Sequence, residues 1–105
     1  MKIAVSYEKT KRNVHNIFED TKFFNFYDIV GNSVICSEII GTMNAKDSEL
    51  VHLLLMFETD ALICGDLDAT SRELLINEGI TVFSGCIGKA DELVDLMLAG
   101  KLIPG

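Results

Sequence analysis

The chain has 105 residues, 49% of them apolar and only one a proline, a composition that suits a single packed domain spanning 1–105 and excludes a disordered segment. Sixteen acids against nine bases leave a net charge of −7. That balance excludes the usual nucleic-acid binder, because affinity for phosphate backbones comes mostly from Lys and Arg. Residues 1–22 are the exception: Lys2, Lys9, Lys11, Arg12 and Lys22 outnumber Glu8, Glu19 and Asp20, so this segment is +2 and the remainder −9.

The opening "KIAVS" (2–6) is a continuous apolar run of the kind expected for a buried strand. It reads as structure and not as a leader sequence. A polar stretch, 7–21, follows, with a helical turn expected around Val14–Phe18 and the basic "KTKR" (9–12) as a solvated loop. "KFFNFYDIV" (22–30) and "SVICSEII" (33–40) are rich in aromatic and β-branched residues. The pair Gly31-Asn32 between them predicts a hairpin.

A helix is expected over 46–58, where Leu50, Val51, Leu54 and Leu55 build an apolar face. The longest apolar run, "LLLMF" (53–57), is too short to cross a bilayer. "DALICG" (60–65) reads as a short buried strand. "ATSRELLINEG" (69–79) reads as a helix with a Thr70-x-x-Glu73 capping box, and Gly79 before Ile80 predicts a left-handed stop sealed by a hydrophobic residue. "ITVFS" (80–84) is another buried strand. The last helix, about 89–99, places Ala90, Leu93, Val94, Met97 and Leu98 on one face and stops at Gly100.

The order β β β α β α β α predicts an α/β fold. Its parallel part needs right-handed crossovers, the hairpin adds antiparallel strands, and about three helices cover a five-stranded mixed sheet in the order 3-2-1-4-5. In open α/β sheets ligands gather beyond the carboxyl ends of the parallel strands. Here those ends deliver "SYEKTKR" (6–12), "GDLDA" (65–69) and "SGCIGK" (84–89) to one edge.

The three cysteines, at 36, 64 and 86, form no CxxC pair, which suggests reduced thiols and a cytoplasmic location. Cys64 and Cys36 read as structural, and His52 as structural or surface-facing. Cys86 lies between Gly85 and Gly88 about one turn before the last helix, where a helix dipole would raise its thiolate fraction. His15, in the polar stretch, is a candidate metal ligand or proton donor. A soft thiolate, backbone donors and the basic loop together suit an anionic metal–sulfur species. The candidate cluster-binding residues are Ser6, Lys11, Arg12, Gly65, Gly85, Cys86 and Gly88, and the candidate metal ligands are Cys86 and His15.

The opening "MKIAV", "FEDTKFFNFYDIVGNSV" (18–34), "DALICGDLDATSRELLINEGITVF" (60–83) and the ending "ADELVDLMLAGKL" (90–102) resemble, in order and spacing, the dinitrogenase iron–molybdenum cofactor biosynthesis family. The resemblance covers nearly the whole chain. It implies a ribonuclease-H-like motif and a non-catalytic carrier or chaperone of an iron–sulfur or molybdenum-containing cluster, working with cluster donor or acceptor proteins and with neither nucleic acid nor membrane. Phe18-Glu19-Asp20-Thr21 stands where the family carries Phe-Gly-Arg-Ala, and Asp68 where a second glycine is common.

Two alternatives remain at this stage. A nuclease-like metal-dependent enzyme would use Asp66 and Asp68, although the first strand supplies no acid from within its core-forming run. A single-thiol sulfur or redox protein would use Cys86, with Cys64 as partner only if folding brings the two together.

Overall fold

The computed structural model describes residues 1–105. The strands are β1 (Lys2–Glu8), β2 (Asn13–Val14), β3 (Phe23–Val30), β4 (Ser33–Gly41), β5 (Ala61–Ile63) and β6 (Thr81–Phe83), and the helices are α1 (Ser48–Met56), α2 (Ala69–Asn77) and α3 (Ala90–Leu98). One mixed sheet runs β4-β3-β1-β5-β6, with β2 paired to β1 alone. β1, β5 and β6 are parallel, while β3 and β4 join antiparallel to one another and to β1. Apart from β2, this is the path expected for the five strands read from the sequence.

Alternation along β1 divides the core into two layers. Ile3, Val5 and Tyr7 join Tyr27, Ile29, Ile63 and Phe83 beneath Leu93 and Val94 of α3. Ala4 points the other way, toward Phe24, Phe26, Leu62 and Cys64, with Leu50 and Leu54 of α1 and Leu75 of α2. Side chains that alternate across a pleated strand require cover on both faces, and the three helices supply it. No helix is long and apolar enough to cross a membrane.

Helix ends follow local chemistry. Gly79 has φ +82, its N–H bonds Ile76 O at 3.0 Å, and Ile80 N–H bonds Leu75 O at 3.0 Å. This is the doubly bonded left-handed stop predicted for α2, with the buried Ile80 as its seal. The start of α2 differs from expectation. Asp68, not Thr70, is the N-cap, and its carboxylate accepts from Ser71 N–H at 2.7 Å. Thr70 is already inside the helix, so the Thr70–Glu73 capping box does not form.

The polar stretch 7–21 is also more ordered than expected. β1 runs on to Glu8 because β3 and β2 pair with its end, Tyr7 lying opposite both Phe23 and Val14. Val14 is extended and buried, so the helical turn expected from it does not exist; a 3₁₀ turn appears later, at Phe18–Asp20. Phe18 is fully buried and anchors that turn, its ring 6.2 Å from the Phe24 ring centroid to centroid. One exposed element remains: β4 carries a free outer edge and is almost wholly solvent-accessible.

Candidate functional site

The carboxyl ends of β1, β5 and β6 bring their loops together, and main-chain hydrogen bonds join them. His15 N–H bonds Ser6 O at 2.7 Å, which turns the chain back from the β1–β2 hairpin across the strand ends. Asp66 N–H then reaches Asn16 O at 2.8 Å, and Phe18 N–H reaches Asp66 O at 2.9 Å. Val14 N–H bonds Gly88 O at 2.9 Å, Ala90 N–H bonds Arg12 O at 3.0 Å, and Gly85 N–H bonds Gly65 O at 2.8 Å. The expected open crevice is therefore closed by backbone pairing.

That closure changes the role of several candidate residues. Ser6 is fully buried and its hydroxyl pairs with that of Thr21, so it offers nothing to a ligand. A Cβ on Gly65 would lie 2.6 Å from His15 O and collide with the Asn16 carbonyl as well. Gly65 is small to admit the crossing chain, not a cargo. Gly88 has φ +127, a conformation that side chains resist, and Gly85 is left-handed at φ +66; open space surrounds the Cβ position of each. Lys11 and Arg12 are exposed at the hairpin turn, where Arg12 is left-handed at φ +61.

Cys86 is half-buried beside a small pocket of about 130 Å³ lined by Asn16, Gly65, Asp66, Gly85 and Ile87. Its thiol lies 3.4 Å from Phe83 O and 3.8 Å from Ser84 O, geometry suited to a thiol donating and not to a thiolate. Burial pushes its pKa up, opposite to the activation expected from the helix dipole. The dipole is weak there for a structural reason. α3 begins only at Ala90, whose N–H is taken by Arg12 O, and its first turn carries Asp91 and Glu92. The start of α2 is likewise filled by its own Asp68 carboxylate.

Cys64 is fully buried, and burial raises its thiol to about 12. Its carbonyl accepts from Cys86 N–H at 3.0 Å, both thiols are free, and the two side chains pack in different core clusters. Cys36 is exposed on β4 and donates to Asp28 Oδ2 at 3.0 Å, which raises the thiol and lowers the carboxyl. No three His, Cys, Asp or Glu side chains converge where a metal ion could be held. Asp66 and Asp68 therefore lack the further carboxylate that two-metal cleavage requires, and Cys86 and His15 line different pockets.

His15 lies instead on a larger pocket of about 540 Å³ at the hairpin, together with Glu8, Thr10, Lys11, Asn13 and Asn16. A neighbouring depression of about 280 Å³ shares Glu8, Thr10 and His15 and adds Lys9, Lys22 and Phe23. Asn16 touches both the hairpin pocket and the Cys86 pocket. The Glu8 carboxylate accepts from Thr10 N–H at 3.1 Å and Lys11 N–H at 2.9 Å, bonds that lower its pKa and close the turn. Lys89 Nζ donates to Lys11 O at 2.9 Å, which brings a further cation to the same rim.

Lys9 belongs to the basic loop expected at the site, whereas Asn13, Asn16 and Lys22 were not expected there. One signal was available: in Asn13-Val14-His15 the apolar residue is the middle one, and in an extended segment its two neighbours share the opposite face.

Comparison with solved structures shows the same fold over essentially the whole chain. The crystal structure of a Methanocaldococcus jannaschii protein, provisionally described as a dinitrogenase, aligns with TM-score 0.80 at 23% identity, covering 100% of this chain and 94% of that one. The apo form of the orange protein from Desulfovibrio gigas aligns with TM-score 0.88 at 18% identity, covering 99% and 92%. A Thermotoga protein, provisionally described as NifB, aligns with TM-score 0.77 at 19% identity, covering 98% and 91%. No curated protein sequence matches. A model of the dinitrogenase iron-molybdenum cofactor family matches residues 1–100, and the chain belongs to that family.

Proposed function

We propose that this protein is a cluster-associated accessory protein: a non-catalytic carrier that holds an anionic iron–sulfur or molybdenum-containing cluster for transfer between donor and acceptor proteins. Family membership supports the cluster-associated role. The observation that carries the reading in this chain is the cationic rim of the hairpin. Lys9, Lys11, Arg12, Lys22 and Lys89 belong to one region of a protein with net charge −7, and none of them is ion-paired. Cations left without carboxylate partners in an acidic protein favour an anionic ligand through the local field.

The reading moves the weight of the site from Cys86 to the hairpin. Lys11 and Arg12 supply charge and His15 is the available metal ligand, since imidazole suits iron and the Cys86 thiol is held protonated. Gly85 and Gly88 border open space, while the pocket beside Cys86 is only about 130 Å³, which suits Cys86 to a secondary contact with a cargo held at the hairpin. The mixed sheet with its antiparallel hairpin is read as ribonuclease-H-like, and the three free cysteines accord with a reducing compartment such as the cytoplasm.

Anaerobic reconstitution with iron and sulfide, with and without molybdate, tests the proposal by metal analysis of the desalted protein. Stoichiometric metal is expected for the wild type. His15→Ala, or Lys11→Ala combined with Arg12→Ala, is expected to reduce retention severalfold and Cys86→Ala to reduce it less. Wild-type protein that leaves the column colourless and metal-free would refute the carrier reading.

A further inference from the structure

The β1–β2 hairpin leaves two side-chain atoms without protein partners although solvent barely reaches them: Oδ1 of Asn13 and Nε2 of His15. Both residues line the same pocket of about 540 Å³, a size at which proteins hold small molecules. Buried polar atoms are nearly always paired, so two unpaired ones on neighbouring residues that line one cavity point to a partner from outside the chain, reached by a small turn of either side chain. Backbone register explains the pairing of the two. Val14 turns inward opposite Tyr7, and Asn13 and His15 take the other face, with Asn13 directly across from Glu8.

Charge decides what kind of ligand fits. Lys11 lines this pocket, and Lys9 and Lys22 line the adjoining depression, which shares Glu8, Thr10 and His15 with it. None of the three lysines has an ion-pair partner. Glu8 is the single carboxylate, and it is turned to the N–H groups of Thr10 and Lys11. Three ammonium groups against one carboxylate leave the region with two excess positive charges. A dianion with several acceptor oxygens matches both that excess and the donors on offer. Nε2–H of His15 is one such donor; the Asn13 side-chain amide is the other, because rotation about its last bond exchanges its oxygen for its NH₂. The cavity is larger than a bare tetrahedral oxyanion, and the extra room accommodates an organic group.

We propose that the hairpin pocket binds the phosphate group of a small phosphorylated molecule, with His15 and Asn13 donating to its oxygens and Lys9, Lys11 and Lys22 balancing its charge. This goes beyond the cluster reading, because neither a thiolate nor a metal enters it. Recognition of this kind rests on hydrogen bonds to a charged acceptor, which weaken with salt but do not depend on oxygen exclusion.

The test is isothermal titration of the full chain in chloride buffer with inorganic phosphate and, separately, glycerol 3-phosphate. Saturable binding of both is expected, tighter for the ester, weaker as salt rises, and reduced at least tenfold by His15→Ala and by Asn13→Ala. Lys101→Ala, beyond the far end of α3, is expected to leave it unchanged. If His15→Ala does not fold, His15→Gln and Lys11→Ala carry the same comparison, with partial loss expected of each. Absence of saturable binding, or binding that the Asn13 and His15 variants leave intact, overturns the proposal; equal affinity for the two probes overturns its organic part. Metal uptake without phosphate binding rejects this site and leaves the carrier reading standing, and the converse rejects the carrier reading alone.

Discussion

Cys64 and Cys86 show how far burial outweighs position for a thiol. Both follow short parallel strands and their backbones are bonded to each other, yet each is held in its protonated form, Cys64 the more strongly because it is fully buried. For Cys64 the consequence for stability has a definite sign. Its thiol rises from an ordinary 9.0 to about 12, so between these values the unfolded chain has lost a proton that the native chain keeps. Stability contributed by this group is complete below about pH 9 and falls as pH rises toward 12, by up to about 1.4 kcal/mol per unit. Urea midpoints measured from pH 8 to 11 are expected to fall, and the decline is expected to be shallower in Cys64→Ala. The Tyr27 phenol, desolvated and bonded to Asp91 at 2.7 Å, is also raised and adds a slope of the same sign above its ordinary 10.0; Tyr27→Phe separates the two. The sequence placed Cys64 correctly as a buried small hydrophobe. It misled at Cys86, where a position about one turn ahead of α3 suggested a thiol activated by the helix dipole, because proximity in sequence did not reveal that Asp91, Glu92 and the Arg12 carbonyl already occupy the start of that helix.

At the scale of elements, what was legible was what local chemistry decides. Gly31 at φ +62 makes the two-residue turn between β3 and β4, and Gly79 and Gly100 close α2 and α3 as their positions implied. What was illegible was set by distant partners. β2 exists because Gly88 O and Ser6 O receive Val14 and His15 N–H, and no pattern in 7–21 announces those acceptors. The end of α1 shows the same rule broken. Glu58 N–H bonds Leu55 O at 3.0 Å and Thr59 N–H bonds Leu54 O at 3.1 Å, the same double bonding that ends α2, but Glu58 holds φ +57 with a side chain attached. A left-handed L-residue costs on the order of 1 kcal/mol relative to glycine. Glu58→Gly is therefore expected to stabilise the fold by about 0.5–1 kcal/mol, read as a higher urea midpoint at unchanged m-value. An unchanged or lower midpoint would show that the strain is relieved in some other way.

Over the whole molecule, the sheet path and the meeting of three loops followed from strand order, while the closure of those loops did not. Which glycine serves backbone conformation, which serves a ligand and which serves a crossing chain is invisible until the chain that crosses is placed. Gly65 is the third kind, and its replacement tests the arrangement. With His15 O 2.6 Å from the position of a Cβ, Gly65→Ala must push the 15–16 crossing outward, at a cost of about 2–3 kcal/mol in thermal or urea unfolding. A variant as stable as the wild type would mean that the crossing is slack.

The bonded loops also bear on exchange. The loops at the strand ends are tied to one another by main-chain bonds and the hairpin turn is exposed, so a cargo bound there as proposed would rest on an outward-facing shelf within reach of another protein. In the proposed carrier role, handover from such a shelf would need no opening step: a recipient would dock against the passenger directly, and the transfer rate is expected to climb in proportion to recipient concentration without reaching an early plateau.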